Sequence, residues 1–437
     1  MEDLSQYLKW IYYLIPMLFV VVYWKITTKK QHSNLQQLET AKAEGLSEPA
    51  SLHPVIDETK CLACKACVSA CPEDKVLGII DNKAQLINAS HCIGHGACQQ
   101  ACPFHAITLV FGTATRGVDI PFVEPNFETN VPGIYIAGEL GGMGLIKNAI
   151  EQGRQAAQNI IKSLSKSKDE SLLDLIIVGA GPAGFSASLT AHEKNIRYRT
   201  IEQESFGGTV FKFPRGKIVM TSPVNLSIVG KQKLKETTKE ALLNFWQKVK
   251  SETGVKIHTS EVLESVNQIS QGFKVKTSKG EYQSQNLLLC LGRRGTPRKL
   301  GVPGEDLPKV VYQLIDPDQY INKHVLVVGG GDSALEAAIS IAEQAGTTVT
   351  LSYRSGAFSR AKPKNRDRIE QAEKDKKLTV LFNSNVREIT ESEVSIDQEG
   401  ELIFIPNNDV IISAGGILPT GFLKTLGIDI ETKHGKA

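Results

Sequence analysis

The chain has 437 residues, 41% of them apolar and 22% charged, with a formal net charge of +3. That length holds about two to four domains, and the composition is that of a folded protein. Near-balanced charge and scattered lysines argue against a nucleic-acid partner.

The stretch Trp10–Trp24, WIYYLIPMLFVVVYW, carries no charge. Extended over 7–26 it reaches the roughly 20 residues that cross a bilayer. Lys9 and Lys25 stand at its ends, Trp10, Tyr12, Tyr23 and Trp24 suit the two interfaces, and Pro16 is tolerated in a membrane helix. The acidic start MEDLSQ and the lack of a small-residue cleavage site disfavour a signal peptide. A single transmembrane helix is therefore predicted. Lys25, Lys29 and Lys30 outnumber Lys9, which places the N-terminus outside and the remaining domains in the cytoplasm, at the inner (cytoplasmic) membrane. Residues 27–54 read as a polar linker.

Seven of the eight cysteines crowd between Cys61 and Cys102, within a domain expected over 55–112. CLACKACVSACP supplies Cys61, Cys64, Cys67 and Cys71, followed by Pro72. This run is similar to that of bacterial two-cluster ferredoxins, small α+β iron–sulfur domains, and metal implies a reducing compartment. A second run, HCIGHGACQQACP, supplies Cys92, Cys98 and Cys102, with His95 at the second cysteine position of that register. The resemblance implies one 4Fe-4S cluster on Cys61, Cys64, Cys67 and Cys102. It implies a second on Cys71, Cys92 and Cys98, for which three readings stay open: His95 as fourth ligand, a 3Fe-4S cluster with His95 nearby, or no second cluster. A neutral histidine in place of a thiolate raises a cluster's potential. VLGIIDNKAQLI, with Asp81 and Asn82, reads as a hairpin, and Ala106–Val110 as a returning strand.

Further on, DLIIVGAGPAGFSASLTA is an apolar strand, a turn with Gly179, Gly181 and Gly184, and a helix; Glu202 ends the next strand. This is the dinucleotide fingerprint: glycines for the tight turn and close approach to pyrophosphate, an acid for the ribose. HVLVVGGGDSALEAAISIA repeats it with Gly329, Gly331, Ser333 and Ala334, but the following strand leads to Arg354, and Arg360 lies nearby. Positive charge there suits the 2′-phosphate of NADP, with NAD still open.

GAGPAG, the pair Gly207 and Gly208, LCLGRRGTP, GVPGE and VVGGGDSALEAA resemble the thioredoxin-reductase-like branch of the two-dinucleotide-domain flavoproteins. The resemblance implies FAD over 174–296, NAD(P) over 297–412, and a return to the FAD domain over 413–437. The usual C-x-x-C before the second glycine segment is missing; Cys290, inside an apolar strand, is the one cysteine in this part. In that family the last FAD segment is a VPGIYAAGD-like strand and turn. Here FETNVPGIYIAGELGG stands ahead, within 118–163, so the FAD domain is expected to be circularly permuted, with Gly138 and Glu139 facing the flavin.

The expected fold class is α/β, with two Rossmann-like dinucleotide-binding domains, a ferredoxin-like domain and a transmembrane helix. The expected activity runs from NAD(P)H through FAD to 4Fe-4S clusters and on to a redox protein or a quinone-linked acceptor at the membrane; a homodimer stays open. A low-molecular-weight disulfide reductase and a redox sensor without turnover are the alternatives. No catalytic side chain is named.

Overall fold

The first element of the computed structural model is a helix, α1 (Glu2–Ala43). The structure describes residues 2–43, 49, 52–73, 75–92, 94–114, 117–142, 144–165, 169, 171–220, 223–232, 236–293, 295–359 and 361–435, apart from the side chains of 2–16, 218, 220, 236 and 296. Among the described residues no helix is long and apolar enough to cross a membrane, which corrects the transmembrane helix expected over 7–26. The uncharged run is only about 15 residues, roughly 22 Å of helix, against a hydrocarbon core of ~30 Å. The inner-membrane placement and the outside N-terminus fall with it. Nor does a linker begin at residue 27. Lys, Gln, Glu and Ala, all good helix formers, carry α1 on to Ala43. Its polar half is pinned: Gln31 Nε2 donates to Asp81 Oδ1 at 2.9 Å and Asn34 Nδ2 to the Ile79 carbonyl at 3.1 Å.

The chain divides into two units, one of residues 1–114 with 435–437 and the other of 115–434. In the smaller unit β1 (His53–Ile56), α2 (Ala66–Ala70), β2 (Leu77–Ile80), β3 (Lys83–Leu86), α3 (Ala97–Gln100) and β4 (Ile107–Val110) follow α1. β1 pairs with β4, and β2 with β3, both antiparallel. The β2–β3 turn is Asp81–Asn82, both left-handed at φ 48° and 58°, the conformation of a two-residue hairpin. Cys61, Cys67, Cys92 and Cys98 share the small core with Val76, Leu77, Ala84 and Ile107.

The larger unit starts with β5 (Val118–Pro121), β6 (Ile134–Ile136) and α4 (Ile146–Ser163). The first fingerprint forms β7 (Leu172–Val178), α5 (Pro182–Glu193) and β8 (Tyr198–Ile201). Short strands β9 (Ile218–Met220), β10 (Val224–Leu226), β11 (Gly230–Gln232) and β12 (Glu236–Thr238) lead to α6 (Lys239–Thr253). Then come β13 (Leu263–Ile269), β14 (Gly272–Thr277) and β15 (Gly280–Leu289). They form one sheet in the order β13-β14-β15-β7-β8, with β6 alongside β15. Leu287–Leu289 pair in parallel with Ile134–Ile136 on one side and Ile176–Val178 on the other. These strand ends are buried on both faces, which is why they read as unbroken apolar runs.

After β16 (Thr296–Pro297) and β17 (Val310–Val311), the second fingerprint forms β18 (His324–Val328), α7 (Asp332–Ala342) and β19 (Thr348–Ser352). α8 (Pro363–Lys374), β20 (Leu378–Leu381), β21 (Ser384–Ile389), β22 (Glu393–Gln398), β23 (Glu401–Pro406) and β24 (Asp409–Ile412) follow. The parallel sheet runs β17-β24-β18-β19-β20, and β21-β22-β23 form a small antiparallel sheet. The chain returns through β25 (Gly416–Ile417), paired with β16, α9 (Thr420–Thr425), and β26 (Ile430–Lys433), paired with β5.

Candidate functional site

At the end of β7 the backbone turns into α5 without a side-chain cap, so the first amides of that helix are open to an anion. Gly179 takes φ 102°, and a Cβ there would meet the Cys290 carbonyl at 2.5 Å. Gly181 faces Gly208 backbone to backbone, since a Cβ on Gly208 would stand 3.0 Å from the Gly181 Cα. Two glycine segments thus form a cradle that side chains would fill. Glu202 closes one end, buried, its carboxylate accepting from the amides of Ala180 at 2.7 Å and Glu204 at 3.1 Å. From the other side come Gly138, Glu139 and the start of α4. The Gly138 amide donates to Gln152 Oε1 at 2.9 Å, and its Cβ position lies 2.9 Å from the Ala183 methyl. These residues line one cavity of about 960 Å³. Gly184 and Gly207 do not line it. Gly184 instead lets α5 sit on β7, its Cβ position only 1.8 Å from the Gly179 carbonyl.

A second cavity, of about 590 Å³, opens over the β18–α7 turn. Gly329, Gly331, Ser333 and Arg354 line it, whereas Ala334 packs beneath, fully buried. The Gly331 N-cap has no side chain bonded to the helix start, and a Cβ on it would meet open space. The Tyr353 ring lies on Gly330, where a Cβ would approach it to 2.3 Å. Arg354 is exposed on the wall; Arg360 lies outside the described residues.

Lys212, Phe213, Gly295 and Pro297 line both cavities. Gly295 and Pro297 fall within LCLGRRGTP, whereas no motif marks Lys212 and Phe213, because 211–217 is irregular chain whose importance comes only from where it lies. Lys212 Nζ pairs with Glu204 Oε1 at 2.6 Å, and its carbonyl accepts from Gln313 Nε2 at 2.5 Å. Arg293 was also missed. Burial holds its guanidinium below the ordinary value, with the Glu139 and Asp119 carboxylates pulling the other way. Cys290 is buried, and burial pushes its thiol far above the usual range, so it is a poor nucleophile.

In the cysteine unit, Cys61, Cys64, Cys67 and Cys102 line one small cavity together with Ile56, Leu62 and Phe104. Its donor set is four thiols in an apolar lining, which fits an iron–sulfur cluster. Cys71, Cys92 and Cys98 form a second group: burial pushes Cys98 up to about 11, and Cys92 and Cys71 add to the push. His95 Nε2 is buried without a hydrogen-bond partner. Burial holds this imidazole below its ordinary pKa, against a smaller pull from Glu73. A buried unpaired nitrogen is costly unless something binds it. Among the described residues no three His, Cys, Asp or Glu side chains gather tightly enough for a single metal ion.

The pyridine nucleotide-disulphide oxidoreductase model matches residues 176–436, and a 4Fe-4S dicluster domain model matches 53–103. The chain is 28% identical to the bacilliredoxin reductase of Bacillus subtilis over 267 residues, 60% of this chain and 82% of that protein. It is 30% identical to a ferredoxin–NADP reductase of Ignicoccus hospitalis over 271 residues, 60% of this chain and 83% of that one. Among solved structures, bacillithiol disulfide reductase from Staphylococcus aureus matches with a TM-score of 0.54 at 28% identity, covering 60% of this chain and 82% of that one.

Proposed function

Because the chain belongs to the pyridine nucleotide-disulphide oxidoreductase family and carries a 4Fe-4S dicluster domain, we propose that it takes electrons from NADPH and passes them singly, through its cysteine unit, to a redox partner. The observation that carries this reading is the meeting of the two nucleotide cavities at Lys212, Phe213, Gly295 and Pro297. A nicotinamide reaching out of one can there approach a flavin in the other. When bound, FAD supplies the conversion of a hydride into single electrons, and the clusters supply a one-electron path.

The chain's own residues bind and orient. The open starts of α5 and α7 present amides to the two pyrophosphates. Glu202 takes the ribose hydroxyls of FAD, and Arg354 the 2′-phosphate of NADPH. Glu139 faces the flavin from the β6–α4 turn. We read this FAD domain as circularly permuted, since β6 and α4 precede the fingerprint in sequence yet complete its sheet and cavity. Cys61, Cys64, Cys67 and Cys102 hold one cluster; Cys71, Cys92 and Cys98 hold the other with His95 Nε2, whose orphaned nitrogen supports ligation.

Rapid mixing with NADPH, followed by flavin absorbance and cluster EPR, tests the reading. Flavin and clusters are expected to reduce in succession. Flavin that bleaches while the clusters stay oxidised overturns the exit through the cysteine unit. A second reading, reduction of a low-molecular-weight disulfide, is favoured by the activity named for the Staphylococcus structure, a bacillithiol disulfide reductase. It predicts disulfide-dependent NADPH consumption in a chain stripped of iron. The buried Cys290, with no C-x-x-C before the second fingerprint, weighs against it.

A further inference from the structure

We propose that Lys83 is a positioning residue for the first iron–sulfur site: a fixed cation that favours the reduced state there. This deepens the reading above and rests on its cluster assignment. Lys83 opens β3 and is half-buried. Its Nζ donates to the Glu58 carbonyl at 2.6 Å and to the Cys61 carbonyl at 2.8 Å. Those carbonyls belong to the turn that delivers Cys61, closed by the Cys61 amide on the Asp57 carbonyl at 3.0 Å. The ammonium is therefore held on the backbone of a ligand rather than left to wander in water.

Two observations show that this charge counts. Among the described residues Lys83 makes no ion pair, whereas its neighbour Lys60 is offset by Asp57 at 3.0 Å in the open. The next residue, Ala84, donates its amide to Cys61 Sγ at 3.4 Å, and the Ala106 amide does the same for Cys102 Sγ, also at 3.4 Å. Both sulfurs belong to the first site. A cluster that accepts one electron gains one negative charge and no proton. A cation and N–H donors beside its sulfurs lower the energy of that state and raise the potential.

The test is a redox titration of the full-length protein with dithionite and mediators, read by EPR. Wild type, Lys83→Gln and Lys83→Arg are compared, and the signal lost in Cys64→Ser marks the first site. Lys83→Gln is expected to move the first-site midpoint to a more negative potential, with iron and sulfide content unchanged and the second site unmoved. Lys83→Arg is expected to restore most of the shift. An unmoved midpoint in Lys83→Gln overturns the proposal, as does an equal shift at both sites. Loss of iron in both variants makes Lys83 a staple of the turn and overturns it too. A wild-type chain that holds no cluster on Cys64 sinks the assignment itself, an outcome distinct from an unmoved midpoint.

Discussion

Lys433 lies directly opposite Val118 in an antiparallel pair, although one ends the flavoprotein unit and the other begins it. Thr432 Oγ1 donates to Asp119 Oδ1 at 2.7 Å, and Asn130 ties Gly427 and Asp429 at 2.9 Å each. In the proposed permutation, this pair is a hairpin cut at its turn. A chain in which residue 434 is joined to 117 and opened between 165 and 171 should fold and bind FAD at one per chain. Removing 430–437 should lower the melting temperature by several degrees and reduce FAD content. Unchanged melting and FAD content in the truncated protein would disprove the role given to this pair.

The contact of α4 on α5 depends on Gly153, whose Cβ position is 2.0 Å from the Ala183 carbonyl. Backbone cannot yield as a flexible side chain does. Gly153→Val should destabilise the unit by about 1–3 kcal/mol or more and release FAD. Thermal unfolding with flavin fluorescence measures both.

Glu202 accepts two amides with its buried carboxylate, and in the proposed function it also accepts the ribose hydroxyls of FAD. Glu202→Gln keeps the shape and loses the charge. FAD affinity should fall roughly tenfold to a hundredfold, the effect of about 1.5–3 kcal/mol from charge-assisted hydrogen bonds. Calorimetric titration of apoprotein with FAD decides it; an unchanged Kd removes Glu202 from the ribose site.

Arg354 is exposed on the wall of the second cavity, where a 2′-phosphate would need a cation. Arg354→Gln should raise KM for NADPH by about tenfold while leaving that for NADH unchanged. Equal effects on both nucleotides would take specificity away from this residue.

Glu261 and Arg199 form a pair at 2.8 Å in which the carboxylate is wholly buried. Burial pushes the Glu261 pKa up, but hydrogen bonds from Arg199 and Thr277 and the Arg199 charge outweigh it, so the net shift is downward. A depressed carboxylate contributes stability above its unfolded pKa, about 4.3, and loses it as pH falls through the folded value. The wild type should therefore weaken on acidification below that point. Glu261→Gln should cost about 3–5 kcal/mol at neutral pH by stranding Arg199, and should flatten the acid limb. Denaturant midpoints from neutral pH to pH 3 test both parts.

Local chemistry was legible in the sequence. Glycine spacing after apolar strands marked both fingerprints, because tight strand–turn–helix geometry leaves few residue choices. Cysteine spacing marked the dicluster unit, and Asp81–Asn82 the hairpin turn, since ligands and left-handed residues come from short stretches. The apolar run Trp10–Trp24 misled, because composition reads hydrophobicity but not whether a helix has the length and polarity to span a bilayer. Lys212 and Lys83 give no signal, since each acts through partners far along the chain or through a carbonyl that carries no sequence information, and Arg293 is legible only as part of LCLGRRGTP, not as a site residue. The glycine turns and the cysteine segment that the two family models match were readable from local spacing alone. That β6 lies beside β15, that the two cavities share a wall, and that His95 Nε2 is buried without a partner came from the packed fold. These are non-local relations, settled by how strands pair and side chains desolvate once the whole chain has packed.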